Sequence, residues 1–442
     1  MLHPSGRSSE KTVSYAIEKE VLRVEEYSLI AGFDLGNEYS QISYFDDEKA
    51  MPVCIGKDDE EMYIPTVLGV KDTGEWLCGR EALYYNELGR CKLVKDFVSL
   101  ISQEQPVYLD DKVLDPSLLL VTFFKKTLFK LKEYEPNKSI RKIVVAVEKL
   151  SEKFAEYIYL ALESMGIART RVEVLSYKQS YLYYVLSHSS NIWVNDVGMF
   201  DFNKRGLKYY QITVDRQRTP HIAGIIEKDY TDSLNYEMVN DEKYRDSLGY
   251  IFENVVQNAI RRQIISTLYM IGDGFADGWA ELVMKKLCGG RRVFVGRNLY
   301  VMGACLAARK YEGLGTMKDF VLIDEDMIAA HVSANVYVNA VMQEVILAKA
   351  GSIWFESDNT IDVIPDDESE IMINVTNVMT REVSRHFISL EALGLREFDR
   401  RNRIRIRVRF QSVNKCIITI KDEGFGELFP SSGRIAERII EI

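Results

Sequence analysis

The sequence has little of what builds several common classes of site. Its six cysteines stand far apart, with no CxxC pair and mostly within apolar runs, so buried reduced thiols fit better than a disulfide frame or a zinc site. Five scattered histidines form no HExxH-like pair, which argues against a metalloenzyme. Positive charge is in deficit: a net charge of -10 argues against broad attraction to nucleic acid or an anionic membrane, so any basic patch must be local. No run of about 18 apolar residues occurs, and the opening MLHPSGRSSEKTVSYAIEKE holds no signal-like apolar segment. Neither export nor a membrane span is expected, and the reducing cytoplasm is the expected compartment.

What is present suits a packed protein of two or three domains: 442 residues, 47% apolar and 28% charged. After a polar lead and a short amphipathic helix over Ala16 to Val24, the core opens with a strand over Leu29 to Phe33. A turn at Gly36 and a returning strand over Gln41 to Phe45 complete a hairpin. A second strand pair leads into the helix GREALYYNEL, and PSLLLVTFFKKTLFKLKEY has helical spacing up to Pro136. The strand RKIVVAVEKL is followed by a helix with Ser151 as N-cap and Gly166 near its end, then by the strand VEVLS and the helix YKQSYLYYVLSH.

At Val197 to Asp201 the opening device returns, a strand interrupted by a turn and resumed. A long helix over 242–265, the strand STLYMIGDGF, the helix ADGWAELVMKKL and the small-residue helix NLYVMGACLAARKY follow. Two such openings predict two related α/β halves facing one another across a cleft. From about residue 320 the texture changes to alternation, as in EIMINVTN, RNRIRIRVRF and KCIITIKD, which predicts an antiparallel β domain. The expected division is an appendage over 1–28, first and second lobes over 29–195 and 196–320, and a β-rich domain over 321–442.

The ordered set of motifs resembles the Hsp70 branch of the sugar kinase, Hsp70 and actin superfamily. GFDLGNEYS is similar to the first phosphate motif, IPTVLGV with WLCGREAL to the segment after it, and FDFNKRGL sits where the second phosphate motif belongs. IGDGFADGWAELVMKKL and NLYVMGACLAA resemble the two parts of the adenosine motif, DFVLID is placed like the interdomain linker, and the later strands are ordered like those of the peptide-binding β domain. The likeness runs from residue 29 to the end of the chain without a helical lid, and it fits a bacterial Hsp70-like family to which no activity is attached. It implies a two-lobed, actin/Hsp70-type ATPase fold of duplicated ribonuclease H-like halves, followed by a C-terminal antiparallel β domain.

A phosphate cleft of this kind needs backbone N–H groups that approach anionic oxygens and carboxylates that hold magnesium through water. Asp34 and Gly36 meet those needs, and Asp201 matches the acid of the second turn, so the resemblance implies Asp34 and Asp201 as water-mediated magnesium ligands. Asn37 and Glu38 then occupy the turn tip where the family has small hydroxyl residues, and Glu38 puts negative charge where the ligand is negative, unless it points away or binds the metal. FDFNKRG lacks the glycine run; Lys204 and Arg205 are either phosphate-pairing side chains or solvated turn charges. Where the family has a catalytic acid, LSYKQSYLYY offers Tyr177 or Lys178 but no carboxylate, leaving Glu148 in AVEKLSEKF as the candidate base or as a solvated strand end. At the nucleoside end, Gly272, Asp273, Gly274, Phe275 and Gly303 fit a base site, or only close packing.

The implied cofactor is ATP or ADP with magnesium, or none if the cleft is vestigial. Seven arginines between residues 396 and 409 put Arg403, Arg405, Arg407 and Arg409 on one strand face, read first as a solvated sheet face paired with carboxylates, given the acidic total and the nearby DNTIDVIPDDESE, and otherwise as a grip on RNA or an acidic protein. Most tyrosines, Tyr181, Tyr183 and Tyr184 among them, have the spacing of core residues. The expected function is a catalytically degenerate nucleotide-binding or pseudo-ATPase scaffold whose β domain meets a protein or peptide partner, with no nucleic acid and no membrane. The alternatives are a chaperone-like ATPase of altered chemistry or an actin-like filament or scaffold protein.

Overall fold

The computed structural model describes residues 28–315, 317, 319–365, 370–393 and 403–442; the helix expected over Ala16 to Val24 lies outside them. The chain forms two compact units, Met1–Tyr210 with Glu227–Lys318, and Gln211–Ile226 with Asp319–Ile442.

The first unit opens with β1 (Ser28–Leu35), β2 (Tyr39–Asp46) and β3 (Met51–Cys54). It continues with helices α1 (Arg80–Glu87) and α2 (Pro116–Phe129), β4 (Ser139–Val147), α3 (Glu152–Ser164), β5 (Val172–Ser176) and α4 (Tyr177–Ser187). The strands form a mixed sheet in the order β5-β4-β1-β2-β3, with β1 parallel to β4 and antiparallel to β2. Ile143 through Val147 are buried, as a run of branched aliphatics in an interior strand between two parallel neighbours should be. Ser151 accepts a hydrogen bond from the Phe154 N–H at 3.3 Å, and Gly166 leaves the helix at φ 84°, as the sequence indicates.

The same plan recurs with β6 (Asp196–Asn203), β7 (Gly206–Asp215), β8 (His221–Asp229), α5 (Leu248–Ala259), β9 (Ile265–Ile271), α6 (Glu281–Leu287), β10 (Arg292–Gly296) and α7 (Leu299–Tyr311). In the first unit these strands run β10-β9-β6-β7, with β6, β9 and β10 mutually parallel. Phe200, Phe202, Phe252, Phe275 and Trp279 centre the core beneath them.

Three helices are shorter than their spacing indicates. The stretch 116–134 breaks at Lys130, where the Thr127 hydroxyl bonds back to the carbonyls of Phe123 at 2.8 Å and Phe124 at 3.3 Å and loosens the last turn. The helix expected over 242–265 is a single turn at Glu242–Tyr244 followed by α5, and Arg262 at φ 61° marks the reversal into β9. In ADGWAELVMKKL, Gly278 at φ 71° confines α6 to its second half.

In the second unit β11 (Phe320–Ile323) pairs in parallel with β8, from His221 opposite Phe320 to Gly224 opposite Ile323. DFVLID is therefore largely strand rather than a free linker. Two antiparallel sheets follow, built from β12 (Ala330–Val338), β13 (Val341–Ala348), β14 (Asp358–Val363), β15 (Glu370–Asn377), β16 (Val383–Ser389), β17 (Ile404–Ser412), β18 (Lys415–Asp422) and β19 (Ile435–Glu441). Their orders are β13-β12-β15-β16 and β14-β17-β18-β19. Val332, Ile373, Ile404, Ile406, Val408 and Ile418 share one core, so alternation along each strand is what joins the two sheets. On the outer face of β17, Arg405 forks onto Asp362 at 2.8 and 3.0 Å and Arg407 onto Asp358, the carboxylate pairing read from the sequence. All six cysteines are free; Cys288 is exposed, against the expectation of burial.

Candidate functional site

Asp34 lies near the C-terminal end of β1 and Asp201 near that of β6, each on a strand flanked by a parallel neighbour. Both are buried, and they face one cavity of about 160 Å³. Strand ends of this kind are where open α/β sheets place ligands.

Two tyrosines close the space between the acids. Tyr177, the first residue of α4, donates its hydroxyl to Asp34 Oδ1 at 2.5 Å, and Tyr300, in the first turn of α7, donates to Asp201 Oδ2 at 2.8 Å. Their rings stack with centroids 4.0 Å apart and planes 10° off parallel. The helices that carry them are locked together. A Cβ at Gly303 would overlap the carbonyl oxygen of Ser180, so only glycine lets α7 approach α4 this closely, and Ser180 Oγ donates to the Tyr300 carbonyl at 2.6 Å. Ser176 caps α4 in a reciprocal box with Gln179 and fixes the point from which Tyr177 projects.

Burial pushes the Asp34 carboxyl up to about 7, against the lowering effect of the Tyr177 hydrogen bond, and raises Asp201 as well. The two phenols are driven well above the ordinary tyrosine range, first by burial and then by the carboxylate beside each. In both tyrosine–carboxyl pairs the phenol therefore keeps its proton and donates it.

Nine of the twelve residues expected to hold a nucleotide line this cavity: Asp34, Gly36, Asn37, Glu38, Asp201, Lys204, Arg205, Gly272 and Asp273. Three of the charged ones form ion pairs. Lys204 Nζ lies 2.9 Å from Glu38 Oε2, joining the tips of the two hairpin turns, and Arg205 pairs with Glu148. Asn37 turns away to Asp96 Oδ1 at 2.9 Å and the Ser99 N–H at 3.1 Å. The second turn is held by Asn203, which donates to Asp201 Oδ1 and accepts from the Arg205 N–H, both at 2.9 Å.

Gly274, Phe275 and Gly303 do not line the cavity. Gly274 packs against Phe202, Phe275 is buried in the core under β6, and Gly303 seats α7 on α4. Their role here is the close packing that the sequence left as the other reading. Tyr300, Asn203 and Gln41 were not foreseen, although each takes part; Gln41 reaches Asn298 Oδ1 at 2.8 Å. By sequence alone Tyr177 stands only where the resembled family has a catalytic acid.

A Mg-nucleotide does not fit this arrangement. Pockets that enclose ligands of such size run to roughly 300–1,000 Å³, and one oxygen of each acid is already taken by a phenol hydroxyl. Among the described residues, no group of three or more His, Cys, Asp or Glu is set to hold a metal ion. Glu148 opens on a void of about 10 Å³, at the lower limit for a single water. No helix among the described residues is long and apolar enough to cross a membrane.

Residues 49–325 match the C-terminal part of a family of unknown function, DUF5716, and residues 327–442 match a domain of unknown function, DUF8552. No curated protein matches the chain. The boundary between the two matches falls just after β11, where the antiparallel sheets begin. The first turn, Gly36 to Glu38, precedes the matched stretch, whereas Tyr177, Asp201 and Tyr300 lie within it. With well over half of its length in that first match, the chain belongs to the DUF5716 family.

Proposed function

We propose that the first unit is an Hsp70-type member of the actin-like ATPase fold whose cleft is closed by its own side chains, and that the protein works as a non-hydrolysing scaffold with the β domain as its partner-binding part. The observation that carries this reading is the Tyr177–Tyr300 stack, with one hydroxyl on each of the two acids. It fills the space between the strand ends with protein and gives both carboxyls a donor. The repeated hairpin with two parallel strands, and the acids at equivalent strand ends, support the fold assignment.

A protein or peptide partner is supported by the edge strand β13, on which Val341, Met342 and Ile346 are exposed, the kind of edge that accepts an added strand. The competing reading, an ATPase with Glu148 as base, has Glu148 already bound by Arg205. Full-length protein assayed with Mg-ATP is expected to release no phosphate above background. Steady turnover at chaperone-like rates, lost in Asp34→Asn, would overturn the proposal in favour of the ATPase.

A further inference from the structure

The hairpin of β12 and β13 runs past the sheet that carries it. β15 pairs with β12 only from Ala330 to Ala334, whereas β13 pairs with it as far as Val338, so residues 335–338 and 341–344 form a two-stranded ribbon among the described residues. Its tip is apolar on both faces. Tyr337 stands opposite Met342 on one face and Val338 opposite Val341 on the other, and all four are exposed, Tyr337 at 67%. A two-stranded ribbon is marginal in water by itself, and this one has neither the lysine nor the proline that guards many natural edges. From Ser333 to Leu347 the sequence has one charged residue, Glu344, in a chain that is 28% charged, and the Glu344 carboxylate accepts the Ser333 hydroxyl at 2.6 Å.

The turn fixes which backbone groups face outward. Asn339 and Ala340 both have positive φ, 51° and 62°, as in the two-residue turn whose flanking pair, here Val338 and Val341, is hydrogen-bonded. Alternation along the ladder then directs the N–H and C=O groups of Val341, Gln343 and Val345 toward β12 and those of Met342, Glu344 and Ile346 outward. β13 ends its sheet among the described residues, so the outward row is open to another strand. Leu347 is bulged, because Ile346 stands opposite Ser333 and Ala348 opposite Val332, and the regular edge stops before it.

Charge decides what can add there. Copies of net charge -10 repel one another and can meet only where both are nearly uncharged, which this ribbon is. We propose that its occupant is a second copy of the chain, with the two β13 strands antiparallel about a two-fold axis at Gln343 and the two ribbons joined as one four-stranded sheet. The register follows from the same residues. Centring on Gln343 sets Met342 opposite Glu344 and Val341 opposite Val345 of the other copy. Centring on Glu344 would oppose two carboxylates, centring on Val345 would run into the bulge, and centring on Met342 would run into the turn. The inference rests on the reading of β13 as the partner-binding edge and is independent of the cleft.

Sedimentation velocity of the full-length protein from about 1 to 100 µM tests it, the range expected for so small a contact. The wild type should pass from monomer to dimer across that range. Gln343 is exposed, and Gln343→Lys and Gln343→Glu should each weaken the dimer about fivefold or more by opposing like charges, while a mixture of the two variants restores it. With the exposed Cys288 replaced by serine, Gln343→Cys should give a disulfide-linked dimer under mild oxidation, because residues opposite in a non-hydrogen-bonded pair have Cα atoms about 4.5 Å apart. A wild type that stays monomeric, or a dimer unchanged by the Gln343 variants, would overturn the pairing. A fluorescein-labelled peptide of residues 340–346 separates the two readings in that event: a protein that binds it keeps β13 as a partner-binding edge, and one that does not loses that reading as well.

Discussion

The cleft and the outer face of the β domain each hold two aspartates, and their surroundings treat them in opposite ways. Asp34 and Asp201 are buried, and each takes a hydrogen bond from a phenol; Asp358 and Asp362 are partly exposed, and each takes a guanidinium fork. Burial lifts the first pair, Asp34 to about 7, while the hydrogen bonds from Arg407 and Arg405 lower the second. A buried carboxyl held by a neutral donor favours its protonated form, and an exposed one beside a fixed cation stays ionised. The acids of the cleft are thus held by neutral donors, at strand ends of the kind where open α/β sheets place ligands. The β face carries more formal charge, but each of its central charges already has a partner.

The largest effect should come from Asp34→Asn. Unfolded, this carboxyl titrates near 3.8; folded, near 7, so the native state binds its proton more tightly and the wild type loses stability as pH rises through that window. The variant keeps an oxygen for Tyr177 without the charge, so its advantage should grow from about pH 4, level off above pH 7 and reach at most about 4 kcal/mol. Urea unfolding across that range checks it, and a difference that stays flat between pH 5 and pH 8 would break the contrast. Gly303→Ala should come next, costing about 1–3 kcal/mol because its Cβ forces α7 away from Ser180 and separates the tyrosines. A melting temperature equal to that of the wild type would show that the helices do not depend on this approach.

Tyr300→Phe keeps the stack but removes the donor to Asp201, leaving Asn203 to hold that carboxyl. The expected loss is about 1–2 kcal/mol, larger above the raised titration range of Asp201 than below it because the ionised acid misses the donor more. A pH-independent loss would mean that packing, not the hydrogen bond, is what the tyrosine supplies. The smallest effect belongs to Asp358→Ala, at most about 1 kcal/mol and diminished by salt, since both partners of that pair meet solvent. Its sign with pH is reversed: the stabilisation is present above the ordinary aspartate range and disappears as pH falls through the lowered value.

Much of this organisation was legible in the sequence, for identifiable reasons. Branched aliphatics marked β4, alternation marked β17 and β18, and the acids of DNTIDV announced the partners of Arg405 and Arg407 because both stretches are strands of opposite charge. Helix lengths were overestimated where a left-handed Gly278 or Arg262 or a back-bonded Thr127 interrupts an otherwise helical pattern. The tyrosine clamp was not legible. Tyr177 and Tyr300 lie on different helices far apart in the chain, and nothing in their spacing announces a contact that depends on a glycine seat between α4 and α7. Of the expected nucleotide residues, those in the two hairpin turns converge because paired strands bring their ends together, whereas Gly274, Phe275 and Gly303 were small or apolar for reasons of packing.

Isothermal titration calorimetry of the full-length protein with ATP and with ADP, each with magnesium, tests the closed cleft most directly. A cleft filled by Tyr177 and Tyr300 should give no binding heat at millimolar nucleotide and no change in melting temperature; micromolar binding would contradict it.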